Sequence, residues 1–275
     1  MKNNYPKISV IMSVFNIKEY VVESIESILN QTFKHFEFII IDDGSSDKTR
    51  EILKSLKDSR IRLIFNEKNI GLTKSLNKAL KLARGEYIAR QDGDDISLPQ
   101  RFERQLEFLD KNPEIKVIGT FGYSIDKKGE ILRKETFPVY PEEIKKNLII
   151  KNPFLHPSIL IKKEVLQEVG GYNEKFTTTQ DYELWFRILK VSKGANLPLF
   201  LLKKRYLPNM ISLKKENIQL RNTLFLQRQA IKRGDYSKLC YIYLLRPYLS
   251  LNCPLFIKKF LRRYLLKSKN VFKKI

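Results

Sequence analysis

The chain has 275 residues, 43% of them hydrophobic and 30% charged, with a formal net charge of +22. That length and apolar share suit one large domain, or one domain with an appendage, and exclude wholesale disorder. Two cysteines, Cys240 and Cys253, and two widely separated histidines exclude a disulfide framework and a structural zinc site, and they suit the cytosol.

The N-terminal stretch MKNNYPKISVIMSVFN has a charge at Lys7 and Asn16 at its end, with no long apolar core or small-residue cleavage site, so no signal peptide is expected. KISVIMSVFN (7–16) then reads as a buried strand from its β-branched apolar run. Val22, Ile25, Ile28 and Leu29 recur at helical spacing in the next segment. FEFIIIDDGSSDKTREIL repeats the plan, with a strand to about Ile41, a polar turn, and a helix capped near Ser46 or Asp47. IRLIFNEKN is a third strand. GLTKSLNKALKLARG is a helix with Leu72, Leu76, Ala79, Leu80 and Ala83 on one face and Gly85 at its end. EYIARQ is a fourth strand that runs into an acidic cluster, and LPQRFERQLEFLDKN is a helix stopped before Pro113.

Strands alternating with helices imply a parallel sheet with crossover helices, and ligands of such sheets bind beyond the carboxyl ends of the strands. The acidic turns at 42–47 and 92–95 are therefore expected on one edge. Beyond Glu114 the rhythm changes. IKVIGTFGYSID is a strand and KKGEILRKETFP an excursion around a turn. HPSILIKKEVLQEVGGY supplies a strand and a short helix, TTTQDYELWFRILKVSKG a helix, and NLPLFLLKKRYL a final strand. No internal repeat or low-complexity linker is present.

The charge is uneven. Residues 214–275 hold 16 Lys+Arg against 2 Asp+Glu, a net of +14, leaving +8 for residues 1–213. This divides the chain into a domain at 1–213 and a basic, mostly helical tail at 214–275. The stretch 239–257 is strongly apolar, but Arg246, Pro247 and Pro254 oppose a clean membrane crossing. KKFLRRYLLKSKNVFKKI (258–275) alternates apolar and basic pairs, a pattern suited to an anionic lipid surface.

In RQDGDDISLP, three carboxylates crowd into four residues at Asp92, Asp94 and Asp95. Such a cluster repels itself unless a cation or proton relieves it, and a hard divalent cation takes carboxylate and phosphate oxygens together. A solvated turn is the simpler alternative. An EF-hand is disfavoured, since Ile96 and Ser97 stand where a ligand and a glycine are required. In IIIDDGSSD, a carboxylate at a strand end can accept hydrogen bonds from a base or ribose, Gly44 allows close approach, and the following helix N-terminus favours anions. Capping by Ser46 or Asp47 is the alternative.

Taken together with VIMSVFN, NIGLTKSLNKAL and GEYIARQDGDDISLPQRFERQLEFL, the two turns resemble the inverting nucleotide-sugar glycosyltransferases of family 2. The resemblance is close over about Lys7–Leu109 and looser to about residue 205. It implies a GT-A fold, a Rossmann-like mixed α/β sheet flanked by helices, here with a basic helical C-terminal extension. It implies nucleotide-sugar contacts for Val14, Asn16, Asp42, Asp43 and Asp92, and a Mn²⁺ or Mg²⁺ site at Asp92 and Asp94, supported by Asp95 and with His156 as a further candidate ligand. His156 is equally readable as a structural histidine. The family's Glu-Asp pair reads Gln180-Asp181 here. This assigns the catalytic base to Asp181 and removes one neighbouring charge, although positioning against the attacking hydroxyl counts first. Trp185 is expected to pack in the core rather than wall a sugar, and Arg90 to balance either the aspartates or a diphosphate. The Gln-x-x-Arg-Trp motif of processive members is absent, so the resemblance implies one sugar per encounter.

The expected partners are a nucleotide-diphosphate sugar (a UDP-sugar above others), a glycan or lipid-linked acceptor of surface-glycan assembly, and an anionic membrane at the inner face of the cell membrane, with no nucleic acid. A basic nucleic-acid-binding protein and a sugar nucleotidyltransferase are the competing readings. The first lacks any recognisable binding module. The second expects a glycine- and arginine-rich loop after the first strand, where SVFNIKEY stands.

Overall fold

In the computed structural model, which describes residues 5–207 and 215–253, the first apolar run forms β1 (Ile8–Val14) and is followed by α1 (Val21–Leu29). β2 (Phe36–Asp42), α2 (Thr49–Ser55), β3 (Ile61–Phe65), α3 (Leu72–Leu82) and β4 (Tyr87–Arg90) complete the alternating half. β1 lies between β2 and β4 and β2 beside β3, all parallel, with Val14 abreast of Asp42 and Ile11 abreast of Arg90. Their carboxyl ends therefore share one edge.

The core follows from strand alternation. Ile8, Val10, Met12 and Val14 point to one face and pack with Val21, Ile25 and Ile28 of α1 and with Phe102, Leu106 and Leu109 of α4 (Arg101–Lys111). Each such side chain, fully buried, stabilises the fold by roughly 1.5–3 kcal/mol. α3 covers the opposite face near β1 and β2 with Leu76 and Ala79. α4 ends at Lys111, two residues before Pro113.

The second half is antiparallel and mixed. Before α4, β5 (Ile96–Ser97) forms a two-residue strand inside the stretch that follows the acidic cluster. After it come β6 (Ile115–Ile125), β7 (Ile131–Glu135), α5 (Pro141–Leu148), a 3-10 turn at His156–Ser158, β8 (Leu160–Lys162), α6 (Lys163–Glu168), α7 (Gln180–Val191) and β9 (Lys193–Arg205). The sheet order is β3-β2-β1-β4-β8-β6-β9-β5, with β7 hairpinned on β6. Beyond β4 the sheet is mixed, as the resemblance implies: β8 runs antiparallel to both β4 and β6, while β9 lies parallel to β6. Two elements escaped the sequence reading, α5 and β5. The cap expected at Ser46 or Asp47 takes a modified form. α2 starts at Thr49, and Asp47 Oδ1 accepts from Thr49 N at 2.9 Å.

The chain divides into two compact units, residues 1–210 and 211–275. The second contains α8 (Glu216–Lys232), a 3-10 segment at Lys238–Leu244 and α9 (Leu245–Asn252). Leu239, Ile242, Tyr248 and Leu249 are exposed on it. No helix among the described residues is long and apolar enough to cross a membrane. The basic pattern read at 258–275 lies outside the described residues.

Candidate active site

The edge at the carboxyl ends of β1, β2 and β4 carries both acidic turns. Asp43 N donates to Val14 O at 2.8 Å, which seats the first turn on the end of β1. The second turn lies against the same residue, because a Cβ at Gly93 would come within 2.7 Å of Val14 Cγ1. Asn16 adopts φ +51°, a conformation Asn tolerates, and its Oδ1 accepts from Ser46 N at 2.8 Å and from Asp47 N at 3.3 Å. Asn16 thus clips the first turn to β1.

Asp42 and Asp43 stand where the sequence places them, and both are buried. Asp42 accepts from Arg50 Nε at 2.7 Å and from Ser45 N at 3.1 Å. Asp43 accepts from Ile70 N, Gly71 N, Asn66 Nδ2 and Ser75 Oγ, at 2.9–3.0 Å. Its carboxylate therefore holds the 66–71 loop and the start of α3 against the edge. Gly44 sits at φ +75° beneath that loop, where a Cβ would lie 2.5 Å from the Lys68 carbonyl carbon. Only glycine fits both the backbone and the space.

The turn after β4 is fixed from three directions. Ser24 Oγ of α1 donates to Asp92 O at 2.7 Å, and Gln91 Nε2 donates to Asp95 O at 2.8 Å. From β9, Arg205 N donates to Asp95 Oδ1 at 2.9 Å and Arg205 Nε to Asp94 O at 3.0 Å. Arg205 is buried. It also donates to Asp126 O and Lys127 O at 3.0 and 3.2 Å, pairs with Glu23, and lies 4.6 Å from the Tyr20 ring centroid. It clamps the acidic turn, α1 and the β6–β7 hairpin together.

The three carboxylates differ sharply. Asp92 is half-buried. Burial opposes its ionisation, but the Arg90 guanidinium it binds and the neighbouring His156 and Lys204 hold its pKa below the aspartate range. Asp94 is pushed up to about 6 by burial and by the charge of Asp92. Asp95 is buried, and burial with the charges of Asp94 and Asp92 raises it well above the ordinary value. Its Oδ2 has no hydrogen-bond partner among the described residues.

Asp181 is the second residue of α7, behind Thr179 in a left-handed backbone conformation at φ +65°. A β-branched residue is strained there, by an order of 1–2 kcal/mol. Asn152 Nδ2 donates to Asp181 Oδ2 at 2.7 Å. His156 lies edge-on to Trp185 and Tyr172, and its Nε2 shares a 2.8 Å hydrogen bond with the Tyr172 hydroxyl. Burial lowers its pKa to about 4, so the ring is neutral, and the charges of Asp181, Arg90, Asp92 and Lys204 all act on it. Among the described residues no three His, Cys, Asp or Glu side chains are arranged to hold a metal ion by themselves. Asp92, Asp94 and His156 do not form such a cluster. Trp185 is fully buried against Phe154, in the core as expected. Arg90 is buried and balances Asp92.

Sequence reading missed Asn152, Tyr172, Lys204 and Arg205. The only local signal for the last two is a strand ending in consecutive cations, which reads as a solvated terminus.

The two acidic turns share the sheet edge at the carboxyl ends of β1, β2 and β4, and comparison with known proteins identifies the class. The family model described as Glycosyl transferase family 2 matches residues 9–170. A putative glycosyltransferase, EpsE of Bacillus subtilis, is 36% identical over 252 residues, 89% of each chain. The O-antigen biosynthesis glycosyltransferase WbnJ of Escherichia coli is 40% identical over 188 residues, 66% of this chain and 71% of WbnJ. S. aureus TarS 1-349, solved in complex with UDP-GlcNAc, matches with a TM-score of 0.70 at 19% identity, over 92% of this chain and 77% of that one, and shares the fold. The chain belongs to glycosyl transferase family 2, with a GT-A catalytic unit.

Proposed function

We propose that this glycosyltransferase moves one sugar, with inversion, from a nucleoside-diphosphate sugar to an acceptor hydroxyl in surface-glycan assembly. Asp181 takes the proton of the acceptor hydroxyl. The acceptor oxygen forms a bond to the anomeric carbon as the bond from that carbon to the diphosphate oxygen breaks, and the electron pair leaves on the diphosphate. Asn152, bound to Oδ2, leaves Oδ1 of Asp181 to receive the proton. The observation that carries this reading is the family 2 match over residues 9–170, which spans both acidic turns; the charges of Asp92 and Asp181, which both act on buried His156, agree with it. Family membership disfavours both the nucleic-acid and the nucleotidyltransferase readings. A UDP-linked donor is the preferred reading, since TarS of the same fold is solved with UDP-GlcNAc.

The residues fit a divalent cation. Burial and the charge of Asp92 raise the Asp94 pKa to about 6, and Asp95 leaves an oxygen without a partner among the described residues, so added positive charge would relieve the turn. Asp92 and Asp94 would hold the ion, diphosphate oxygens would complete its shell, and Asp95 would support the turn. His156 offers it only Nδ1, because Nε2 is bonded to Tyr172. Mn²⁺ or Mg²⁺ there supplies positive charge to the departing diphosphate. Val14, Asn16, Asp42 and Asp43 frame the nucleotide cradle, with the two carboxylates acting through the turns they hold.

The direct test is a thermal-unfolding series with UDP, GDP and their sugars, with and without Mn²⁺. We expect one nucleotide to raise the melting temperature by several degrees only when Mn²⁺ is present. Equal stabilisation without metal would remove the cation from the reading.

The same proposal places the enzyme on an anionic membrane surface. Exposed Leu239, Ile242, Tyr248 and Leu249 accompany a basic segment with no acidic residue after Asp235. The full chain should co-sediment with phosphatidylserine vesicles and lose that binding in high salt. Recovery in the supernatant at low salt would rule the surface out.

A further inference from the structure

β9 ends on two cations that the fold treats differently. Arg205 spends its donors within the protein, as described above. Lys204 does not. The antiparallel ladder sets Ile96 opposite Lys203 and Ser97 opposite Leu202. The ladder ends there, and the acidic turn that precedes β5 is tied to the end of β9 by Arg205, whose N donates to Asp95 Oδ1 and whose Nε donates to Asp94 O. Strand alternation sends the Lys204 side chain to the face opposite Arg205. Its ammonium lies 5.7 Å from the Tyr206 ring centroid, and among the described residues it makes no hydrogen bond or salt bridge. Burial works against its charge, yet Tyr206 and the carboxylates of Asp95, Asp92 and Asp181 hold its pKa above the ordinary lysine value.

A lysine kept only to neutralise the turn would be bonded to one of those carboxylates, as Arg90 is to Asp92. Lys204 instead has no hydrogen-bonded acceptor among the described residues, and its flexible stem carries an ammonium with three donors beside the turn that Arg205 holds. We propose that Lys204 binds the diphosphate of the nucleotide-sugar donor, on the side of the acidic turn away from Arg205. The inference rests on reading that turn as the donor-diphosphate site. An ammonium there hydrogen-bonds the phosphate oxygens in the bound donor. It does so more strongly as the diphosphate takes the electron pair of the broken anomeric bond. Arg205 is the positioning residue that keeps β9, and with it Lys204, in register.

Isothermal titration of the full chain in Mn²⁺ tests this, with UDP and UMP, and GDP and GMP, as probes. Lys204→Ala and Lys204→Gln should weaken diphosphate binding by about tenfold or more, the worth of a charge-assisted hydrogen bond. They should leave monophosphate binding within about twofold, while Lys204→Arg retains most diphosphate affinity. The Gln variant keeps the side-chain length, and unfolding curves of each variant report the fold. If diphosphate and monophosphate affinities fall together, or neither changes, Lys204 is not a diphosphate ligand and the site reading stands. If the wild type shows no preference for diphosphate over monophosphate, the site reading itself is overturned and the proposal falls with it.

Discussion

Asp181→Asn is expected to lower the turnover of sugar transfer by about 10²–10⁴-fold, the usual contribution of a positioned general base. Donor affinity, read by titration with the nucleoside diphosphate, should stay near the wild-type value. The substitution keeps the side-chain shape and an oxygen that Asn152 Nδ2 can reach, so the start of α7 is undisturbed. What it removes is the group that takes the acceptor proton. The split between turnover and donor binding separates this from a folding defect, which would lower both. Turnover within tenfold of the wild type would return Asp181 to the role of a helix-start residue stabilised by the dipole.

Asp94→Ala should abolish transfer, and the same residue gives a pH signature that needs no assay of activity. Its folded-state value, about 6, lies above the ordinary aspartate value of 3.8. A group raised on folding contributes stability that is present below its unfolded value and lost as pH rises through its folded value. Without divalent cation, the unfolding free energy should therefore decline between about pH 4 and pH 6, by an amount on the order of 1–3 kcal/mol, and the melting temperature with it. Added Mn²⁺ binds the ionised carboxylate, so its stabilising effect should be weak near pH 4, grow through about pH 6, and be full above about pH 7. In Asp94→Asn both the decline and the rescue should shrink. A Mn²⁺ rescue of equal size at pH 4 and pH 7 would place the ion elsewhere.

The parallel half of the fold was readable because its determinants are local. The runs at Ile8–Val14 and Phe36–Asp42 are β-branched and continuous, and α3 shows its apolar face at helical spacing. The acidic turns follow from strand ends, so their common edge was legible too. The antiparallel half was less so. β5 is two residues long and exists only because β9 pairs with it from more than 100 positions away. α5 carries only two buried apolar residues, Ile144 and Leu148, too few for a periodic signal. The site divides the same way. Asp92, Asp94 and Asp181 announce themselves by motif, whereas Asn152 and Arg205 act through partners distant in the chain, and nothing around them marks the pairing. Asp43 shows the reverse limit. Its position was plain, but the four donors that engage it come from residues 66–75.

The Arg205 clamp bears on how the protein is made. It links a turn at residues 94–95 and a helix residue at 23 to the last strand of the catalytic unit. During synthesis, β1 to β4 leave the ribosome long before β9 and can pair in the nascent chain, since all four lie within residues 8–90. The acidic turn, however, gains its clasp only when translation has passed Arg205. An arrested or truncated product lacking that strand would retain the parallel nucleus but lose the bonds that Arg205 makes to the acidic turn and to Glu23.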